Sequence, residues 1–179
     1  MGYYDQKIMI ATCDKKGNIT GEIERWEAHK KGILHRAFTL ALIYKGNYIL
    51  QHRKHPLFNG VFDVTSSSHQ IMNNGVLEDT IAASTRTLFR EWKIDEKDIV
   101  GKMKVTGAVY YKAKDPNSIY WEHEYCDVVE VKVNRIPEPN YEVSYGASLV
   151  TPKELRNKKS KTWKILSPWT IVAIEKGFL

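Results

Sequence analysis

The sequence predicts a single α+β domain over residues 1–179. Runs rich in β-branched and aromatic residues alternate with short turn signals, which is the pattern of sheet strands. Between Leu77 and Trp92 the apolar residues recur at helical spacing instead. No internal repeat, low-complexity tract or long linker divides the chain, and its length allows a sizeable core without disulfide or metal staples.

In chain order, Lys7 to Thr12 and Ile19 to Arg25 read as strands around the turn Asp14-Lys15-Lys16-Gly17-Asn18. Ala37 to Tyr44 and Asn47 to His52 read as a hairpin with Lys45-Gly46 at its tip. Val61 to Ser66 is a short apolar strand running into Ser66-Ser67-Ser68-His69, and polar residues at a strand end mark a candidate site. The helix follows, with Leu77, Ile81, Ala82, Leu88, Phe89 and Trp92 as its apolar set. Ile99 to Lys112 and Ile119 to Val133 then form two long strands joined by the turn Asp115-Pro116-Asn117-Ser118. Ser167 caps a last helix, with Pro168 in its first turn, Trp169 to Lys176 as its body and Gly177 as its stop.

Two cysteines, Cys13 and Cys126, make no disulfide framework, and the N-terminus has no apolar core of a signal peptide. No apolar run approaches the roughly 18 residues that span a bilayer. A soluble, cytoplasmic protein without a membrane partner is expected. The formal charge is +6, but most of the excess lies between Pro152 and Lys164, where six Lys or Arg face Glu154 alone. Such a run suits a solvated loop or the rim of an anion site. No zinc-finger spacing, RNA-binding signature or arginine-rich arm is present, so nucleic acid is not an expected partner.

The most informative stretch is Tyr120-Trp121-Glu122-His123-Glu124-Tyr125-Cys126. On a strand, Glu122 and Glu124 share a face with Cα atoms about 6.5 Å apart, so they can converge on one cation or proton-transfer centre. An exposed, charged strand edge is the alternative. With His29, His35 and His69 the two glutamates make a plausible five-ligand set, and ligand type alone allows Zn²⁺, Mn²⁺ or Mg²⁺. Cys126 shares that face, and a lone buried cysteine ordinarily packs as a small hydrophobe.

Six segments in register resemble the type I isopentenyl diphosphate isomerases, a branch of the Nudix superfamily. They are Gly32 to Phe38, Ile49 to Arg53, Ser67-Ser68-His69, Tyr111-Lys112-Ala113, Glu122-His123-Glu124 and Ser167-Pro168-Trp169. The resemblance implies a Nudix-like mixed sheet flanked by helices, a place in isoprenoid biosynthesis, and a monomer or weak dimer acting on a small prenyl diphosphate. It implies that His29, His35, His69, Glu122 and Glu124 hold one divalent metal, and that Glu91 helps bind a second Mg²⁺ carried by the diphosphate. Arg25, Arg53 and Lys54 fall near diphosphate-binding positions, while Arg86 occupies the Nudix-box arginine position. Glu124, Tyr111 and Trp169 are the implied acid/base group, its assisting hydroxyl and a ring that steadies a carbocation.

The chain departs from that pattern at specific places. Ser67 stands where the family has its catalytic cysteine, and a serine hydroxyl is far harder to ionise than a thiol. Thr87 and Arg90 stand where hydrolytic Nudix members carry metal-binding glutamates, which argues against ordinary hydrolysis. Asp63-Val64-Thr65 replaces a Thr-Asn segment, and Gln70 replaces a proline. Isomerisation is the leading expectation. A divergent enzyme that hydrolyses or otherwise transforms a prenyl or other diphosphate, and a weakly catalytic diphosphate-binding homologue, are the alternatives.

Overall fold

The computed structural model describes residues 3–179. A 3-10 turn, Tyr3–Asp5, precedes β1 (Met9–Cys13), which pairs antiparallel with β2 (Ile19–Glu24) across the expected Asp14 to Asn18 turn. The strand does not continue to Arg25. Glu24 accepts a hydrogen bond from the backbone N–H of Glu27 and caps α1 (Arg25–Lys31), and Gly32 ends it with φ 61°. A left-handed residue after the last turn is what glycine supplies most cheaply.

β3 (His35–Tyr44) is the centre of the main sheet. Lys45-Gly46 turns it into β4 (Asn47–Arg53). The single strand expected from Val61 to Ser66 is two short ones: β5 (Phe62–Asp63) pairs with β4, and β6 (Ser66–Ser68) pairs with β3. A small separate hairpin, β7 (Met72–Asn73) with β8 (Val76–Leu77), leads into α2 (Thr80–Trp92). The helix therefore starts after Leu77, where Asp79 accepts from the backbone N–H groups of Ile81 and Ala82. Its buried face also differs from the apolar set: Phe89 is 58% exposed, whereas Ser84, Thr87 and Glu91 are buried beside Leu88 and Trp92.

The long hairpin is β9 (Lys104–Lys114) with β10 (Trp121–Val133). β9 begins later than Ile99, which makes only an isolated bridge to Val133 before Gly101, at φ 77°, turns the chain. β10 lies parallel to β3 along ten residue pairs, from Glu124 opposite His35 to Val133 opposite Tyr44. An unforeseen strand, β11 (Ser144–Val150), covers the free edge of β4. α3 (Pro152–Leu155) and α4 (Pro168–Glu175) close the chain, the latter with the expected Ser167 cap.

Alternation along the strands gives the sheet two apolar faces. Phe38, Leu40, Leu42, Val129 and Val131 pack with Leu88 and Trp92 of α2 on one side. Ala37, Ala41, Val109, Cys126 and Val128 pack with Trp169 and Ala173 of α4 on the other. The Nudix-like α+β expectation agrees with this arrangement, and among the described residues no helix is long and apolar enough to cross a membrane.

Candidate active site

At one end of the α4 face the core turns polar. Register decides it: Glu124 on β10 lies directly opposite His35 on its parallel neighbour β3 and opposite Tyr111 on its antiparallel neighbour β9. The three side chains thus form one row across three strands, and Glu122 follows two residues away on the same face. The end of α1 brings in His29, and the residue after β6 brings in His69.

Nitrogen and oxygen atoms converge here. The side chains of His29, His35 and His69 offer ligand atoms within 4.8 Å of one another, and so do those of His35, Glu122 and Glu124. His29 Nδ1 lies 3.0 Å from the carbonyl oxygen of Trp121, and His35 Nδ1 lies 2.7 Å from that of Ile33. Those bonds fix the rings with the Nε2 lone pairs free to bind a metal. His69 Nε2 is 3.2 Å from Glu124 Oε1, and the Tyr111 hydroxyl donates to Glu124 Oε2. His35 Nε2 and Glu122 Oε2 are buried without a hydrogen-bond partner. Orphaned buried groups are rare, and a cation among these five side chains would satisfy both. The donor set of imidazoles and carboxylates fits a divalent metal.

Burial and mutual contact shift these groups in opposite directions. Burial, reinforced by the charge of Glu124, pushes the Glu122 carboxyl well above its usual range. Burial alone would raise Glu124 too, but the His35 and His69 imidazoles draw it well below. Burial lowers His69 to about 4, and burial with neighbouring imidazoles takes His29 well below 6.5. Tyr111 is held far above 10 by burial and by Glu124.

These groups, His35 apart, border a narrow cavity of about 30 Å³. Ser67 and Trp169 also line it, and both are held by Asp63, which is fully buried. Ser67 Oγ donates to Asp63 Oδ2 at 2.7 Å, and Trp169 Nε1 donates to Oδ1 at 2.7 Å. Arg53 Nη1 also reaches Asp63 Oδ2, at 3.0 Å, with its Cζ 5.0 Å from the Trp169 ring centroid. Arg25 lines the cavity as expected.

Three expected substrate or metal residues are placed elsewhere. Lys54 turns to the surface and donates to the carbonyl of Tyr141. Arg86 grips the Glu78 carboxylate at 2.7 and 3.0 Å and donates to the carbonyl of His69, so it braces the loop carrying that histidine. Glu91 is buried outside the cavity lining and paired with Arg90 at 2.6 Å. Cys126 is wholly buried in the apolar core, where burial drives its thiol far above 9, and it does not reach the cavity.

The cavity also has walls the sequence did not reveal. Tyr3, Tyr4, Trp26, His55, Ser68 and Arg90 all border it. Arg90 had a signal, a cation at a position expected to be acidic. Tyr3 and Tyr4 had none, because they arrive from a distant part of the chain.

No family model matches the chain. It is 33% identical over 180 residues to mouse isopentenyl-diphosphate Delta-isomerase 1, covering 90% of this chain and 78% of the mouse protein. The chain belongs to the isopentenyl-diphosphate Delta-isomerase family. The golden hamster relative of the same name is 31% identical over 186 residues, covering 93% and 81%. Among solved structures, DR0079 of Deinococcus radiodurans superposes with a TM-score of 0.60 at 16% identity, over 84% of this chain and 87% of that one. That likeness is one of fold. Membership of the isomerase family agrees with the resemblance carried by the six sequence segments.

Proposed function

We propose that this protein interconverts isopentenyl and dimethylallyl diphosphates with a divalent metal in the His29, His35, His69, Glu122 and Glu124 set. The observation that carries this reading is Glu124, which touches Tyr111, His69 and His35, while Ser67 and Trp169 line the same cavity. Moving the double bond requires a proton added to the terminal methylene carbon and another removed from the carbon two places along, through a tertiary cation. A bound metal would hold the carboxylates and imidazoles in place and tune the acidity of Glu124.

The Glu124–Tyr111 pair delivers the proton that makes the cation; the hydroxyl is the member that carries it, since Glu124 is drawn toward its ionised form. The Trp169 indole faces the cation with its π-surface, an interaction worth about 2 kcal/mol when desolvated. The remaining proton is strongly acidic in such a cation, so its acceptor need not be a preformed thiolate. Ser67 Oγ takes it while passing its own proton to Asp63, and the hydroxyl never carries a full charge. This is how a serine serves where relatives are expected to carry cysteine. Solvent exchange then returns a proton to the Glu124–Tyr111 pair and removes one from Asp63.

Ser67 also favours a second reading, a diphosphate enzyme of altered chemistry. One experiment separates them: the metal-reconstituted protein is incubated with isopentenyl diphosphate in deuterated water and followed by NMR. Deuterated dimethylallyl diphosphate is the expected product. Released phosphate or alcohol without deuterium exchange would replace the isomerase reading with a hydrolase.

A further inference from the structure

The expected second Mg²⁺ does not fit this chain. Mg²⁺ demands near-octahedral oxygen ligands and is ordinarily held by one or two carboxylates together with substrate phosphates. On α2 only Glu91 could serve, since the neighbouring candidate positions are Thr87 and Arg90. Both oxygens of Glu91 face nitrogen donors: Oε1 accepts from Arg90 Nη2 at 2.6 Å and Oε2 from Gln51 Nε2 at 3.4 Å. A dication there would have to displace one cation while remaining beside it.

The cavity instead has three guanidinium groups, those of Arg25, Arg53 and Arg90. Each keeps an unused donor after its internal contacts are made. Arg25 donates through Nη2 to the carbonyls of Tyr3, Tyr4 and Gln6, and its Nε is buried without a partner. Arg53 bonds Asp63 and the carbonyl of Leu57, and its Nε is likewise unpaired. Arg90 bonds Glu91 and, at 3.5 Å, Ser68 Oγ, leaving both Nε and Nη1 unpaired. Arg25 and Arg90 lie against the same Tyr3 ring, with Cζ 4.7 and 3.7 Å from its centroid. Buried unsatisfied N–H groups on cations are costly unless an anion completes them.

We infer that Arg90, with Arg25 and Arg53, binds the diphosphate in place of a second Mg²⁺. Guanidinium groups suit this because their planar forks match phosphate oxygens. The inference rests on the diphosphate part of the proposed function and does not depend on the isomerase step.

Inorganic pyrophosphate is the probe, titrated calorimetrically into the full chain with and without Mg²⁺. In EDTA the native protein should bind it, and Arg90→Met should weaken binding by about 10- to 100-fold, as expected for loss of charge-assisted hydrogen bonds. Arg90→Lys should recover part of the loss. Any gain in affinity on adding Mg²⁺ should be the same in Glu91→Gln as in the native protein, a comparison that decides the matter even if Arg90→Met does not fold. Unchanged binding by a folded Arg90→Met, or a Mg²⁺ gain that vanishes in Glu91→Gln, would overturn the inference. Pyrophosphate binding of the expected kind without isomerisation would sink the proposed reaction and leave this inference standing; isomerisation with a Glu91-dependent Mg²⁺ gain would do the reverse.

Discussion

Ser67 Oγ lies 2.7 Å from Asp63 Oδ2, so the hydroxyl at the family's cysteine position is tied to a buried carboxylate. Both residues are departures from the pattern that the sequence resemblance implies. A relay between them predicts that Ser67→Ala and Asp63→Asn each lower turnover by about 10²- to 10⁴-fold, the range of a lost acid/base group. Ser67→Cys should stay active. Steady-state rates in deuterated water would show it, and an alanine variant as fast as the native protein would remove Ser67 from the reaction.

Glu124 is the acid/base group of the proposed reaction and also touches the metal set. Glu124→Gln should cut kcat by at least about 10²-fold while the variant still melts cooperatively. Metal content measured beside the rate separates lost chemistry from a lost ion; near-native kcat would reject the assignment.

Metal loading should release few protons from histidine. His69 titrates at about 4 and His29 well below 6.5, so both rings are already neutral near pH 6.5. Glu122 has the opposite shift, holding its proton to higher pH than an ordinary carboxyl, so metal binding should expel the proton of that carboxyl. The sign follows from the shifts: acidification weakens binding by returning the proton to Glu122, while His69 begins to compete only near pH 4. Calorimetry in buffers of different ionisation enthalpy counts the proton. Glu122→Gln should bring the count to about zero, and a count of two or three would contradict the neutral imidazoles.

Trp169 supplies both a ring face and an N–H to Asp63. Trp169→Phe keeps an aromatic face and should cost roughly tenfold in kcat, whereas Trp169→Leu removes the cation-stabilising face and should cost about 30-fold or more. Equal rates for the two variants would show that the ring only fills space.

The convergence of the two glutamates was legible because spacing on a strand dictates its face: Glu122 and Glu124 had to point together. The parallel pairing that sets Glu124 beside His35 was not, since no local signal specifies which distant strand becomes a neighbour. α1 went unread, since the expected strand ended at Arg25 and nothing was assigned beyond it, although Gly32 after Lys30-Lys31 marked its end. β11 escaped because it lies along an edge, and its residues from Tyr145 to Leu149 are largely solvent-facing, without apolar alternation. Lys54 was placed in the site by the resemblance, yet it follows the end of β4 and turns away from Arg53 to the surface. Asp63 was visible only as a departure, and its role emerged when folding gathered Ser67, Arg53 and Trp169 around it.

The row His35–Glu124–Tyr111 is set by backbone pairing, while Tyr3, Tyr4 and His55 reach the cavity from outside the strands. Inheritance can treat these parts differently. A one-residue slip in β10 would turn Glu124 away and end the chemistry, whereas the terminal turn and the loop after β4 can change in length and residue with the row intact. New preferences for the hydrocarbon end of a substrate would therefore arise by remodelling the cavity's borders, leaving its proton-transfer row as an inherited constant.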